Sequence, residues 1–184
     1  RHTSTLEHNL ITFKFCVPLF VRSQHHRHRT WSYNEISRRY TQKNLQFYLP
    51  KNFRTQHESN RQASNEDQLI DPVLYHDHTK YYHGLQASTL LLNHTMRSIG
   101  IFEDMIGKGI CREQARMILP QNLYTEYYGT VNLNNLLKFI DLRTHEGAQW
   151  EIQKVAEACL EIATDLFPVT VGSYRKIRHE IEST

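Results

Sequence analysis

The sequence predicts an α+β domain in which several long helices pack on a largely antiparallel sheet. Apolar residues alternate with a period of two at residues 10–17, the pattern of a half-buried strand, and residues 125–131 form a second, β-rich run. Apolar residues recur at helical spacing over longer stretches in the second half, from Tyr82, from Asn132 and from Ala148. The chain has 184 residues, 39% of them hydrophobic and 22% charged, which suits a single domain over 1–184 that buries its core without disulfides.

The elements follow in order. Ile11, Phe13, Phe15 and Val17 alternate with Leu10, Thr12, Lys14 and Cys16, giving a strand that Pro18 ends. Proline is tolerated at a first helical position, so Pro18 to about Arg27 reads as a short helix leading into the polar stretch 24–40. The chain opens on Arg1 instead of Met, in a segment that reads as the approach to a strand, so an N-terminal portion is expected to be missing. Residues 51–80 are rich in Asn, Gln, Ser and His with few apolar anchors, and are expected to form a polar surface insertion. His76, His78 and His83 read as scattered surface histidines. Leu85, Leu92, Ile99, Phe102 and Ile106 predict a helix from Tyr82 to Ile106, stopped by Gly107 and Gly109. A short helix from Arg112 to Leu119 then meets Pro120, and a strand over Thr125–Val131 follows. Asn132 is a suitable N-cap for a helix with Leu133, Leu136, Leu137 and Ile140 on one face and Arg143 a turn further on. The last helix runs from Ala148 to Phe167 on the stripe Ile152, Val155, Ala156, Cys159, Leu160, Ala163, and Pro168 closes it.

Composition narrows the function. Cys16, Cys111 and Cys159 are far apart, with no C-x-x-C pair, which argues against a disulfide framework or a zinc cluster and fits a reducing, cytosolic setting. Cys16 and Cys159 are expected in the core, whereas Cys111 lies near a helix start. No apolar run approaches the roughly 20 residues of a membrane span and no signal peptide opens the chain. Neither G-x-G-x-x-G nor a P-loop occurs. A net charge of +3 favours phosphate-bearing small molecules as readily as nucleic acid.

The chemistry concentrates in residues 24–40, QHHRHRTWSYNEISRRY. Arg27, Arg29, Arg38 and Arg39 crowd around Ser32, Asn34, Glu35 and Ser37. Guanidinium forks match phosphate oxygens, and amides and hydroxyls match the edges of a base or sugar, so together they suit a nucleotide. If the helix reaches Arg27, Gln24 and Arg27 share a face one turn apart. Three other readings stand beside this one. From composition alone the stretch also reads as a solvated basic loop and, behind that, as a metal site of His25, His26 and His28 lacking carboxylate or thiol partners or a nucleic-acid face using Trp31 or Tyr33.

RHRTWSYNEISRRY, Arg27 to Tyr40, is similar at every fixed position to R-H-R-x-x-S-x-N-E-x-S-x-R-Y of the flavin-dependent thymidylate synthases. HTSTLEH (His2–His8), EQARMILP (Glu113–Pro120) and TVNLNNLLKFIDLRTHEGAQWEIQ (Thr130–Gln153) resemble further segments of that family, so the likeness covers most of the chain outside residues 51–80 and the last dozen or so. The resemblance implies reductive methylation of dUMP to dTMP, with methylenetetrahydrofolate as carbon donor and NADPH reducing through FAD, without a cysteine nucleophile. It places Gln24, Arg27, Glu35, Ile36, Ser37, Arg38, Arg39, Arg116 and Arg143 at dUMP, with Arg116 from another subunit of a homotetramer. Arg143 would be the catalytic cation, favouring ionisation of the uracil at N3. It assigns FAD to Ser4, Arg27, His28, Arg29, Glu35, Asn132, Asn134 and Lys138. Asn134 stands where the family often has arginine, and Lys138 where it has Asn or His. No metal, nucleic acid or membrane is implied. The alternative is a catalytically silent nucleotide- or nucleic-acid-binding domain that keeps the arginine-rich segment.

Overall fold

The alternation of residues 10–17 becomes β1 (Leu10–Pro18), in which Ile11, Phe13, Phe15 and Val17 are buried and the residues between them exposed. The computed structural model describes residues 2–37, 45–75 and 84–182, with side chains described as far as Ile177. After β1 come α1 (Leu19–His25), β2 (Ser32–Glu35), β3 (Phe53–Gln56), β4 (Ser64–Ile70), β5 (Val73–Leu74) and β6 (Leu85–Gln86). The rest comprises α2 (Ala87–Gly107), α3 (Arg112–Ala115), β7 (Tyr124–Asn132), α4 (Leu133–Arg143), α5 (Trp150–Leu166) and α6 (Pro168–Glu182). The α+β expectation holds, and every strand pairing among the described residues is antiparallel.

The main sheet has the order β1-β7-β2, with β7 in the centre. Its register puts Ile11 opposite Val131, Phe13 opposite Gly129, Phe15 opposite Tyr127 and Val17 opposite Thr125, so the apolar residues of both strands share one face. Gly129 is required there. A Cβ at that position would stand 2.9 Å from the Phe15 ring and 3.2 Å from Trp31, closer than packed atoms approach. α4 and α5 cover this face with Leu133, Leu136, Phe139, Ile140, Ile152, Ala156, Cys159 and Ala163, and α6 adds Val171. Each large side chain so buried contributes about 1.5–3 kcal/mol. The Asn132 side chain caps α4 by accepting from the Asn135 N–H at 2.9 Å, as its position predicted.

Several expectations need correction. Pro18 is the N-cap of α1 and not its first residue, and α1 stops at His25, so Arg27 lies beyond the helix and shares no helical face with Gln24. Cys16 is exposed, because the alternation that buries Phe15 and Val17 turns it outward. The segment before Leu10 is a 3-10 turn, Ser4–His8, and residues 116–118 are likewise 3-10 and not α-helix. α2 starts at Ala87, after the short β6, and Gly109, at φ 83°, lets the chain turn off its end. Pro168 closes α5 and also opens α6. Among the described residues no helix is long and apolar enough to cross a membrane.

Candidate nucleotide site

α1 delivers four consecutive side chains to different surroundings. Arg22 is half-buried, Ser23 exposed, Gln24 half-buried, and His25 fully buried under the sheet. His25 packs against the rings of Phe15, Trp31, Tyr33 and Phe139 and shares a 2.8 Å hydrogen bond between its Nδ1 and the Tyr127 hydroxyl. Burial, then the neighbouring His28, His26 and Arg143, drive its pKa down to about 3. It is therefore a neutral core histidine. Trp31 is buried in the same cluster, and the Tyr33 hydroxyl donates to the carbonyls of His25 and His28, so the tryptophan is not free to stack on a nucleic-acid base. No group of three or more His, Cys, Asp or Glu suited to a metal occurs among the described residues.

His28 lies at the edge of this cluster. Burial, and next the Arg143 charge, hold its pKa down to about 4, so the imidazole is neutral at ordinary pH. Arg143, the last residue of α4, donates from Nε to His28 Nε2 at 3.0 Å. The neutral ring therefore carries its own proton on Nδ1. Arg143 is half-buried and has no carboxylate partner among the described residues. Among the described residues its side-chain hydrogen-bond partner is the neutral His28 ring.

Two clefts open beside these residues. The first, about 640 Å³, is lined by Arg22, Ser23, Glu35, Ile36, Ser37, Arg116, Gln121 and neighbouring apolar side chains. Its wall is set by a bidentate ion pair: Arg22 Nε donates to both Glu35 oxygens at 3.1 and 3.0 Å, and Nη2 to Oε2 at 2.5 Å. The Thr125 hydroxyl donates to Glu35 Oε1 at 2.8 Å, tying the pair to β7. The second cleft, about 400 Å³, is lined by Gln24 and Arg143 on one side and by Arg54, Gln56, Arg61, Gln62 and Ser64 of the β3–β4 hairpin on the other.

A family model described as thymidylate synthase complementing protein matches residues 1–169. The flavin-dependent thymidylate synthase of Thermosipho melanesiensis is 33% identical over 179 residues, covering 97% of this chain and 73% of that protein. The chain belongs to the flavin-dependent thymidylate synthase family. The Thermus thermophilus member is 40% identical over 178 residues; the match covers 96% of this chain, which spans 60% of that relative's length. A crystal structure of the UMP/dUMP methylase PolB from Streptomyces cacaoi, bound with 5-Br dUMP, superposes with a TM-score of 0.75 at 29% identity, covering 96% of this chain and 74% of that one.

The nucleotide residues that the flavin-dependent thymidylate synthase resemblance indicated are divided by the fold. Glu35, Ile36, Ser37 and Arg116 line the first cleft, Gln24 and Arg143 the second, and Arg27 is exposed outside both. Arg38 and Arg39 lie outside the described residues, as do His76, His78 and His83. Of the residues matched to flavin contacts, Ser4, Arg29 and Lys138 are exposed, and Asn132 spends its side-chain oxygen on the α4 cap. Asn134 is buried, its amide donating to Glu7 Oε1 at 3.0 Å, so it ties the N-terminal 3-10 turn to α4. Sequence reasoning missed Arg22, Arg54, Gln149 and Glu151, all of which shape the clefts through contacts that leave no local pattern.

Proposed function

We propose that the chain acts as an FAD-dependent thymidylate synthase, methylating dUMP to dTMP with methylenetetrahydrofolate as carbon donor and NADPH as reductant, in the cytosol and without a thiol nucleophile. The observation that carries this reading is Arg143: a half-buried guanidinium beside Gln24, hydrogen-bonded to a neutral imidazole and facing no carboxylate among the described residues. A fixed cation of this kind stabilises negative charge developing on a pyrimidine ring, and its Nε–His28 bond aims it. Burial already holds the Arg143 pKa below its ordinary value, and an anionic ring beside it would compensate the buried charge.

The residues fit a flavin dinucleotide. Arg27, Arg29 and Lys138 are exposed cations without ion pairs among the described residues, suited to a diphosphate, and the Asn132 amide nitrogen remains available. When bound, the flavin supplies hydride chemistry that no side chain here performs. The protein's own contribution is to orient the nucleotide, hold its phosphate with arginines and exclude water. Cys16, Cys111 and Cys159 line neither cleft, and burial pushes Cys159 up to about 12, which fits a reaction without a thiol nucleophile.

Division of the nucleotide residues between two clefts of one chain favours a homotetramer in which each site combines one subunit's first cleft with another's second. Exposed apolar side chains on α2, including Leu92 and Met96, suit such contacts. The test is anaerobic NADPH oxidation by the purified protein with and without dUMP and methylenetetrahydrofolate, following dTMP in the same samples. Oxidation promoted by dUMP, with dTMP formed only when the folate is present, is the expected result. Flavin-free protein without turnover would leave the silent binding domain as the better account.

A further inference from the structure

The β3–β4 hairpin belongs to residues 51–80, which the sequence marks as a polar insertion, yet it forms one wall of the cleft that holds Gln24 and Arg143. Its anchor is Arg54. The guanidinium lies 4.8 Å from the Trp150 ring centre, Nε donates to Ser64 Oγ at 2.9 Å, and Nη2 donates to Glu151 Oε1 at 2.6 Å. The other carboxylate oxygen, Glu151 Oε2, accepts from Gln149 Nε2 at 2.9 Å. Gln149 Oε1 in turn accepts from Gln24 Nε2.

This chain has a polarity that chemistry dictates. An ionised carboxylate only accepts hydrogen bonds, so the Gln149 amide must turn its nitrogen to Glu151 and its oxygen to Gln24. Gln24 must then spend its nitrogen on Gln149, leaving its own oxygen, which takes no hydrogen bond from a described residue, as the group it offers a ligand. Burial acts to raise the Glu151 carboxyl, but the hydrogen bonds from Arg54, Gln149 and its own backbone, with the Arg54 charge, outweigh it and keep the group below its ordinary value.

We propose that Arg54 and Glu151 are positioning residues that, through Gln149, hold the Gln24 amide with its oxygen toward the cleft, so that this wall accepts a hydrogen bond from the nucleotide. The inference rests on the dUMP reading above. dUMP carries two donors that would serve, the N3–H of the uracil and the 3′-hydroxyl of the sugar. Substituting Glu151→Gln reverses the relay: held by Arg54 through its oxygen, the new side chain offers an N–H to Gln149, and Gln24 is left presenting a donor.

The experiment is calorimetric titration of the purified protein with dUMP, N3-methyl-dUMP and 2′,3′-dideoxyuridine monophosphate. The expected wild-type result is about tenfold weaker binding of whichever analogue lacks the donor that Gln24 engages, the worth of one hydrogen bond to a buried partner. In Glu151→Gln, and in Gln149→Leu, which leaves the Arg54–Glu151 pair intact, that ratio should fall toward one. Arg54→Lys, which keeps a cation on Glu151, should preserve it. A merely structural role would weaken all three ligands alike. Unchanged ratios in both Glu151→Gln and Gln149→Leu would overturn the proposal, as would a wild-type protein that discriminates against neither analogue. Wild-type protein that binds no dUMP at all would instead remove the nucleotide reading, and this inference with it.

Discussion

The two clefts are built on the same device, a partly buried arginine–glutamate pair, but the pairs differ in depth and reach. Arg22 and Glu35 keep 33% and 20% of their side-chain surface exposed and join α1 to the end of β2. Arg54 and Glu151 keep only 20% and 12%, and join the hairpin to the start of α5, 97 positions along the chain. The first pair presents Glu35 itself to a cleft, whereas the second acts at a distance, through Gln149 on Gln24. An ion pair near solvent can take part in binding. A deeper one, expensive to desolvate, is better suited to fixing the orientation of something else.

Under the proposed function, with Arg143 in the second cleft and Arg116 in the first, the second cleft would carry the chemistry and the first the anchoring. Arg143→Ala should sever them most clearly, retaining flavin but losing dTMP formation by about 10²–10³-fold, the scale of removing one preorganised electrostatic contact. Retained turnover in a quenched assay would take Arg143 out of the reaction. Arg116→Ala, in the first cleft, should chiefly raise KM for dUMP with kcat little changed.

Stability sharpens the contrast further. Arg54→Ala leaves the deeper carboxylate without its cation, holding only the neutral donors Gln149 and Tyr48, and should cost about 3 kcal/mol. Arg22→Ala exposes a carboxylate closer to water and still bonded by Thr125, and should cost nearer about 1 kcal/mol. Urea titrations giving equal losses would mean that depth does not distinguish the pairs. Acid should act on neither pair first. His25 and His28 are held from the ordinary 6.5 down to about 3 and about 4, first by burial. The folded state therefore binds fewer protons than the unfolded chain below 6.5, so stability is complete above that pH and falls as the pH drops toward 4 and then 3. Melting midpoints should descend over that window, and His25→Phe should flatten the descent. The smallest effect belongs to Cys111→Ala, an exposed N-cap without a side-chain cap bond, which should change stability by no more than about 0.5 kcal/mol and leave turnover intact. A dead enzyme there would restore a thiol mechanism.

Legibility in the sequence follows the same division. β1 and the helices α4 and α5 are readable because each buries one face and so writes a period into the chain, whereas the stripe read for α2 leaves Leu92 exposed. β2 is not readable in this way. Its four residues carry one large apolar side chain, Tyr33, and their strand conformation comes from pairing with β7, a partner nearly a hundred residues away. β3 and β4 stayed hidden because both their faces are largely polar. Of the residues lining the clefts, Glu35 stands out in the Arg27–Tyr40 motif and Arg143 in the segment Thr130–Gln153, while Asn132 is marked by its capping position. Arg22, Arg54 and Glu151 are not marked, since a long-range ion pair leaves no periodicity behind it. Cys16 is exposed because the register of β1 turns it outward, and register outweighs the small apolar character that favours burial.

β7 is hydrogen-bonded along both edges and passes directly, through the Asn132 cap, into the 11 residues of α4 that end at Arg143. With no loop between them, strand and helix should open to solvent only together, and their amides should exchange with deuterium more slowly than those of the β3–β4 hairpin. Arg143 is thus carried at the end of a rigid arm about 16 Å long. A ligand has to be brought to that charge, since the arm that carries it has no hinge of its own.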